Sequence, residues 1–487
     1  MTRPNGGFVQ QSFLRSRFGH RRPRMDKARP HNSRFAQRTR LPPATGAFSN
    51  PLVIVNGIFG ALAGLSFILM LWQWLAARRF PLHQRTVGNS FAPPVTLLKP
   101  LKGCDESTES CLRSWFVQDY TGDIQILFAV VSADDPACAV VKRLITEFPQ
   151  RDAQLVVCPE RLGANAKVSK LVQLEPRVKH EIIVVSDADV RVPADLLVNL
   201  VAPLTPSLSP PAATARPRGE FDGERVAARP GEGTIGLVNC FYQLANPTTP
   251  ALRWEAIAIN ADFWSQVLQS KSLKPLDFAL GAVMATRRQQ LVGIGGFRAL
   301  ADCLADDYQL GHRIAQHGHR IELCPVVVEC WSAPMIWSEV WRHQLRWART
   351  IRVCQPLPYF FSILSNATLW PLLWVLASDS QFVIATHQSA EAFSVVSVRV
   401  PMALMAGIAF LAWRLFAAFD LQRRLTASLP HISNLWLVPM KDLLQVAIWL
   451  GAFIGNHIEW RGELYRLRSD GTLVIRDLRK PKGKNAE

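Results

Sequence analysis

Ile182-Ile183-Val184-Val185-Ser186-Asp187-Ala188-Asp189 is the stretch on which the fold turns. Four consecutive β-branched aliphatics read as a strand buried on both faces, as in the parallel sheets of α/β proteins. The strand then delivers two carboxylates one residue apart. Alternate side chains of an extended segment share a face, so Asp187 and Asp189 can reach one hard cation. Mg²⁺ or Mn²⁺ takes such oxygen ligands and, held there, would bridge the two phosphates of a nucleotide sugar. The bland alternative is a helix cap at a strand–helix turn.

Working outward, Val95–Leu98, Ile124–Val131 and Gln154–Val157 are further Val- and Ile-rich runs separated by helical stretches. This alternation predicts an α/β domain over residues 80–350, a mostly parallel sheet covered by helices on both faces. Ligands of such sheets bind beyond the carboxyl ends of the strands. Asp134-Asp135-Pro136 follows the second run, where it suits a hydrogen-bond acceptor for a nucleotide base or a cap for a helix starting at Pro136. In Gly163-Ala164-Asn165-Ala166-Lys167, Lys167 is placed either beside donor phosphates or in solvent. Asp306 and Asp307 precede a helical stretch. Paired acids raise one another's pKa, which suits a general base, while the alternative is charge at a helix N-terminus. His343-Gln344-Leu345-Arg346-Trp347 sits among Trp331, Trp337 and Trp341. It reads as an aromatic and basic belt at a membrane surface, or as an Arg346 contact to a diphosphate beside a Trp347 wall.

The chain has 487 residues, 49% of them hydrophobic, and its long uncharged runs make it a membrane protein. Leu52 to Ala77 and Val353 to Ser378 each hold 26 residues without a charge, above the roughly 20 that cross a bilayer. Val400 to Phe419 is a third run, its Arg414 placed to snorkel. Leu443 to Asn456, 14 residues long, is expected to be re-entrant or interfacial within residues 435–457. The expected order is therefore a basic tail (1–50), a span (51–79), the α/β domain (80–350), spans at 353–378 and 400–419, the short segment, and a basic tail (458–487). Thr205 to Gly233, rich in Pro, Ala, Gly and Arg, reads as a flexible insertion.

The formal net charge is +17, with eleven Lys/Arg against one acid in residues 1–42. No zinc spacing or RNA-binding signature accompanies this charge, which argues for membrane headgroups and against nucleic acid. The positive-inside rule puts Arg78-Arg79, the Arg346–Arg352 cluster and Arg423-Arg424 in the cytoplasm, and the α/β domain with them. The basic N-terminal tail pulls the other way. Nine scattered cysteines without a CxxC pair predict reduced thiols.

Taken in order, Asp134-Asp135, Asp187/Asp189, Asp306-Asp307-Tyr308 and the Arg346-Trp347 box resemble the inverting, family 2-type enzymes of the glycosyltransferase A fold. The nearest resemblance is to ceramide glucosyltransferases, including the bacterial branch assigned to hopanoid biosynthesis. Leu98 to Gly103, Gly293 to Phe297 and Trp460 to Arg468 share in it, and His343 to Arg352 is close to the hopanoid branch. His343 departs from the Gln or Arg usual at the head of the box, and Ser132 replaces an acid of animal relatives. The resemblance implies a UDP-sugar donor and a lipid acceptor, ceramide or a hopanoid polyol, at a bacterial inner membrane. It also implies a metal at Asp187/Asp189, Asp307 as base, and Asp134, Asp135, Lys167, Asp306 and His343 in substrate binding. Arg346 and Trp347 complete the site. A processive polysaccharide synthase needs more spans than follow Arg352, and a catalytically dead scaffold would not keep these acids.

Overall fold

The computed structural model describes residues 51–86, 92–204, 233–386, 393–430, 432–460 and 463–475. The expected basic N-terminal tail and nearly all of the 205–233 insertion lie outside them.

Eight strands form the main sheet. They are β1 (Val95–Pro100), β2 (Ile124–Val130), β3 (Asp152–Val157), β4 (Ile182–Ser186), β5 (Val190–Arg191), β6 (Ile235–Leu244), β7 (Val283–Arg287) and β8 (Arg320–Cys330), in the spatial order β3-β2-β1-β4-β7-β6-β8-β5. Every residue of β1, β2 and β4 is buried, so both faces of this half are covered. It is the parallel half read from the sequence, with Val95 opposite both Ile124 and Ile182. The other half corrects the mostly parallel expectation. β7 runs antiparallel to β4 and β6, β8 is parallel to β6, and β5 is antiparallel to β8. A register shift separates the Cys240–Cys324 pair from the Phe241–Val327 pair. Pro325 falls inside it, and a proline at a bulge breaks the alternation that marks a strand in sequence.

Three apolar helices, Pro51–Arg79, Leu369–Thr386 and Phe393–Thr426, pack together. Phe67 stacks on Phe410 at 4.9 Å and Trp74 meets Trp413 edge-on at 5.3 Å. Trp74 Nε1 donates to Asp420 Oδ2 at 2.8 Å, and Arg78 pairs with Asp420 Oδ1 at 3.1 Å. The first and third helices therefore run the same way, and Arg78 and Arg424 end at the same level.

Among the described residues, three segments are long and apolar enough to cross a membrane: Val53–Arg79, Met402–Thr426 and Ile432–Phe453. The uncharged run Val353 to Ser378 is not one straight span. Its helices Pro356–Ser365 and Leu369–Ser378 meet at a 48° bend. Asn366 makes the break, its Oδ1 accepting from the N–H groups of Thr368 (3.2 Å) and Leu369 (2.9 Å), so it caps a new helix.

Arg414 does not snorkel. Only 4% exposed, it donates from Nη2 to Asp442 Oδ1 and to Asp262 Oδ2, both at 2.9 Å. Lys441 pairs with the same two carboxylates, and Thr368 Oγ1 donates to Asp442 Oδ2 at 2.6 Å. Asp262 lies in a π-helical turn, Ala258–Phe263, of the α/β domain. The cluster thus ties that domain to the helices Phe393–Thr426 and Leu437–Phe453 and to the bend.

The chain after the last helix is not simply a basic tail. β9 (His457–Trp460), β10 (Glu463–Leu467) and β11 (Leu473–Ile475) form an antiparallel sheet. Ile458, Tyr465, Leu467 and Leu473 pack with Ala164 and Leu304 of the α/β domain, and Arg161 Nη1 donates to Glu463 Oε1 at 2.7 Å.

Candidate active site

Asp187 leaves the carboxyl end of β4 with its N–H donating to Ala282 O at 3.1 Å. Behind it stands Lys99 of β1, fully buried, donating to Ser186 Oγ (3.1 Å) and Asp187 O (2.6 Å) and lying 5.1 Å from the Trp115 ring centroid. Burial pushes the Lys99 ammonium down to about 8. This lysine holds the turn that carries the two acids.

Lys167 is not a solvated surface residue. Its Nζ pairs with Asp187 Oδ1 at 2.8 Å and with Asp306 Oδ2 at 2.9 Å. Burial would lower its pKa, yet the charges of Asp187 and Asp306 outweigh burial and hold it above the usual range. Asn165 puts Lys167 there by capping the helix Ala166–Leu174, its Oδ1 accepting from the N–H groups of Lys167 (3.0 Å) and Val168 (3.2 Å). The Asn165 amide also donates to Cys303 O at 2.9 Å and to Asp306 Oδ1 at 3.4 Å. Asp306 therefore does more than supply charge at the start of the helix Asp306–Gln316.

Asp307 Oδ2 accepts from the Gly281 N–H at 2.7 Å, and its Oδ1 accepts from the Tyr308 N–H at 2.8 Å. A β-carbon on Gly281 would stand 3.4 Å from Asp307 Oδ2 and 3.6 Å from Asp187 Oδ2. The two carboxylates thus face one bare patch of backbone, and any side chain at 281 would fill the space between them. Burial and then the charge of Asp306 push the Asp307 carboxyl up. Asp189 is exposed, with protein atoms crowding its carboxyl. That crowding, followed by the charge of Asp187, pushes its carboxyl up to about 6. Four acids thus gather at the end of β4, two of them, Asp187 and Asp306, paired directly with Lys167.

The Arg346-Trp347 box forms a second group on the helix Trp337–Cys354. His343 Nδ1 lies 2.6 Å from Glu255 Oε1, which also accepts from Gln344 Nε2 at 2.8 Å. The Trp347 ring meets His343 at 5.0 Å and Phe263 at 6.0 Å, and Arg346 lies over Trp460 at 5.7 Å. Tyr308 joins the two groups, its hydroxyl donating to Cys354 O at 3.0 Å.

Asp135 stands with neither group. Its two oxygens accept from the Gly103 N–H, each at 3.1 Å, and Oδ1 accepts from the Ala137 N–H at 3.0 Å. Asp135 thus supports the start of the helix Ala137–Glu147 through the Ala137 N–H and fixes the Lys102-Gly103 loop. Asp134 is exposed and, among the described residues, hydrogen-bonds only to Ser132.

Lys99, Asn165, Glu255 and Gly281 were not legible as site residues. Asn165 had a signal, as an Asn directly before a helical stretch. Lys99 lies in a quoted motif, but nothing there marks it as buried. Glu255, in Trp254-Glu255-Ala256, has no signal beyond one acid on an otherwise apolar helix. Among the described residues, no group of three or more His, Cys, Asp or Glu side chains is arranged to hold a metal ion. Asp187 and Asp189 offer two hard oxygen donors, the number Mg²⁺ takes when substrate phosphates and water complete its shell. All nine cysteines are free.

The family model for glycosyl transferase family 21 matches residues 58–214 and 224–473. An α/β domain with acids gathered at its carboxyl edge, joined to membrane-length helices, is in this setting a membrane glycosyltransferase with a glycosyltransferase A fold. The chain belongs to glycosyl transferase family 21. Ceramide glucosyltransferase 3 of Caenorhabditis elegans is 20% identical over 428 residues, covering 85% of this chain and 82% of that protein. A ceramide glucosyltransferase of Candida albicans is 32% identical over 126 residues, 24% of this chain and 23% of that one. The chain therefore matches under a quarter of the Candida relative's length and most of the worm relative's. A solved mannosyltransferase from Pyrobaculum calidifontis, in complex with GDP-Man and Mn2+, is 21% identical with a TM-score of 0.43, covering 81% of this chain and 99% of that one.

Proposed function

We propose that this protein transfers a hexosyl unit from a UDP-sugar to the hydroxyl of a membrane lipid, inverting the anomeric centre, as a ceramide glucosyltransferase-like enzyme. The observation that carries the reading is the convergence of Asp187, Asp306 and Asp307 on Lys167 and Gly281 at the end of β4. Asp307, aligned by two backbone N–H groups, takes the proton of the acceptor hydroxyl as that oxygen attacks the anomeric carbon. Lys167 keeps Asp187 and Asp306 in place and adds positive charge where the diphosphate departs. Asp187 and Asp189 would hold Mg²⁺ or Mn²⁺, which supplies charge stabilisation to the leaving diphosphate. Arg346 supports the same oxygens, and Trp347 with His343 walls the acceptor side. Asp135 and the Gly103 loop receive the base.

The acceptor is ceramide or, on the strength of the His343–Arg352 stretch, a hopanoid polyol receiving N-acetylglucosamine. The catalytic domain faces the cytoplasm of a bacterial inner membrane, because Arg78, Arg79, Arg423 and Arg424 share one end of the helix bundle. Leu437–Phe453 lies along the membrane face instead of crossing it. It is tied to the α/β domain near its start by Lys441–Asp262 and just after its end by Arg349 Nη2 donating to Ile454 O at 2.8 Å. Purified protein should transfer sugar from a UDP-sugar to lipid, and EDTA or Asp187→Asn should abolish transfer while the fold persists. Full activity in EDTA would remove the metal from this reading, and absence of any donor turnover would remove the enzyme. The glycolipid that vanishes from a deletion strain identifies the acceptor.

A further inference from the structure

A cavity of about 550 Å³ opens between the α/β domain and the end of the helix Phe393–Thr426. It shares no residue with the carboxylate cluster or the Arg346-Trp347 box. On the domain side it is lined by Gln243 to Thr248 and by the helix Pro250–Ile257, and on the other side by Gln422, Thr426, residues 428–430 and residues 433–435. Thr426 also ends a membrane-length apolar segment, so the cavity stands at the level where hydrocarbon gives way to headgroups.

Its chemistry is one-sided. Among the described residues, Arg253 is the one charged residue in the lining, and no acid lines it. Among the described residues, the polar side-chain ends of Gln243, Thr248, Arg253, Ser433 and Asn434 have no hydrogen-bond or ion-pair partner. Beyond the lining, Ile432 (73% exposed) and Trp436 (64% exposed) follow the lining residue Leu429 (75% exposed) along the chain. Among the described residues, nothing covers these apolar side chains. A guanidinium ringed by neutral hydrogen-bonding groups suits a phosphate oxyanion, and the adjoining apolar rim suits acyl chains. Basic pockets beside membrane helices bind anionic lipid headgroups in this way.

We propose that this cavity is a binding site for the phosphate headgroup of an anionic phospholipid, held by Arg253 with its chains on Leu429, Ile432 and Trp436. The site is separate from donor and acceptor. It seats the catalytic domain on the charged leaflet that the basic helix ends already face.

The test uses the full-length protein in nanodiscs of phosphatidylcholine with or without phosphatidylglycerol, and native mass spectrometry of lipid retained on release. The protein should keep phosphatidylglycerol in preference to phosphatidylcholine. Arg253→Gln should weaken that retention about five-fold, the loss expected for one headgroup–cation contact, with sugar transfer in neutral detergent unchanged. Should Arg253→Gln fold poorly, Ser433→Ala with Asn434→Ala reads the same site from the opposite wall and should also lower retention. Equal retention of the two lipids, or undiminished phosphatidylglycerol on both variants, overturns the proposal. Displacement by millimolar inorganic phosphate as effective as by lipid would show an anion site without lipid character, and would overturn it too.

Discussion

Two clusters of charge organise this molecule, and they are built on opposite principles. At the junction with the membrane helices, Asp262 and Asp442 meet Arg414 and Lys441, two acids against two bases, each within hydrogen-bonding distance of its partners. At the end of β4, Asp187 and Asp306 share Lys167, with Asp189 and Asp307 beside them and Lys99 behind the turn. The first cluster is satisfied by the chain itself. The second sets four acids around one lysine that pairs directly with two of them, and burial first, then a neighbouring acid, pushes Asp189 and Asp307 up. A balanced buried cluster fixes geometry, whereas an unbalanced one stores a cost that a cation or a reacting proton can relieve.

The largest expected effect falls on the unbalanced side. Asp307→Asn keeps size but removes proton-acceptor capacity, so transfer should drop by about 10²–10⁴-fold. Affinity for the UDP-sugar should change little. Turnover and donor binding measured on this variant and on Asp306→Asn separate the roles. A dead Asp306→Asn enzyme beside an active Asp307→Asn enzyme would move the base to the other carboxylate.

The balanced side should answer in stability instead. Asp442→Asn leaves Arg414 and Lys441 with one acid between them inside the protein, and breaking a buried pair costs roughly 3–5 kcal/mol. Replacing Arg414 by Met and Asp442 by Leu together leaves Lys441–Asp262 intact and should recover most of the loss. Thermal unfolding in detergent measures both variants. If the double variant is no better than the single one, the junction does not act as a matched set.

What the sequence showed of these clusters follows the same division. Asp187, Asp189, Asp306 and Asp307 were legible because acids directly after an aliphatic strand, or paired before a helix, have no packing reason to be there. The junction was illegible. Arg414 in an apolar run looks like a residue reaching for the surface, and its partners lie 28 and 152 positions away. The sheet divides likewise. Parallel β1, β2 and β4, buried on both faces, write uninterrupted Val/Ile runs, whereas β6 and β8 carry Asn239, Gln243, Glu322 and Pro325 and lose the pattern. Residues that act through position alone, such as Gly281, leave no chemical trace in the chain.

A smaller effect probes the hinge between the two regions. Glu255 is 1% exposed and accepts from both His343 and Gln344. Glu255→Leu would leave these two donors unpaired at a cost of about 1–3 kcal/mol for each group that is lost to water. Glu255→Gln keeps one acceptor oxygen and should lie between. Because Phe263 follows Asp262 and touches Trp347, the loss should lower lipid-acceptor affinity more than donor affinity. An unchanged acceptor KM in Glu255→Leu would confine this acid to packing.

The finest test compares one substitution type at both clusters as pH changes. The Asp307 carboxyl is raised from its ordinary value of 3.8, first by burial and then by Asp306, against the N–H groups of Gly281 and Tyr308 and the charge of Lys167. A carboxyl that binds its proton more tightly when folded favours the fold most below the unfolded pKa. Its contribution worsens as pH rises through the folded value, and the full penalty applies above it. Asparagine resembles the protonated form at every pH. Asp307→Asn should therefore unfold at a higher temperature than the parent at neutral pH, and the gap should close as pH falls toward 4. The same chemical change at Asp442 should lower the unfolding temperature at neutral pH. Because the base must be ionised, transfer by the parent should rise with pH on the acid side, along a limb displaced above 3.8. If Asp307→Asn is instead the less stable protein at neutral pH, the catalytic cluster is not short of positive charge, and the contrast with the junction fails.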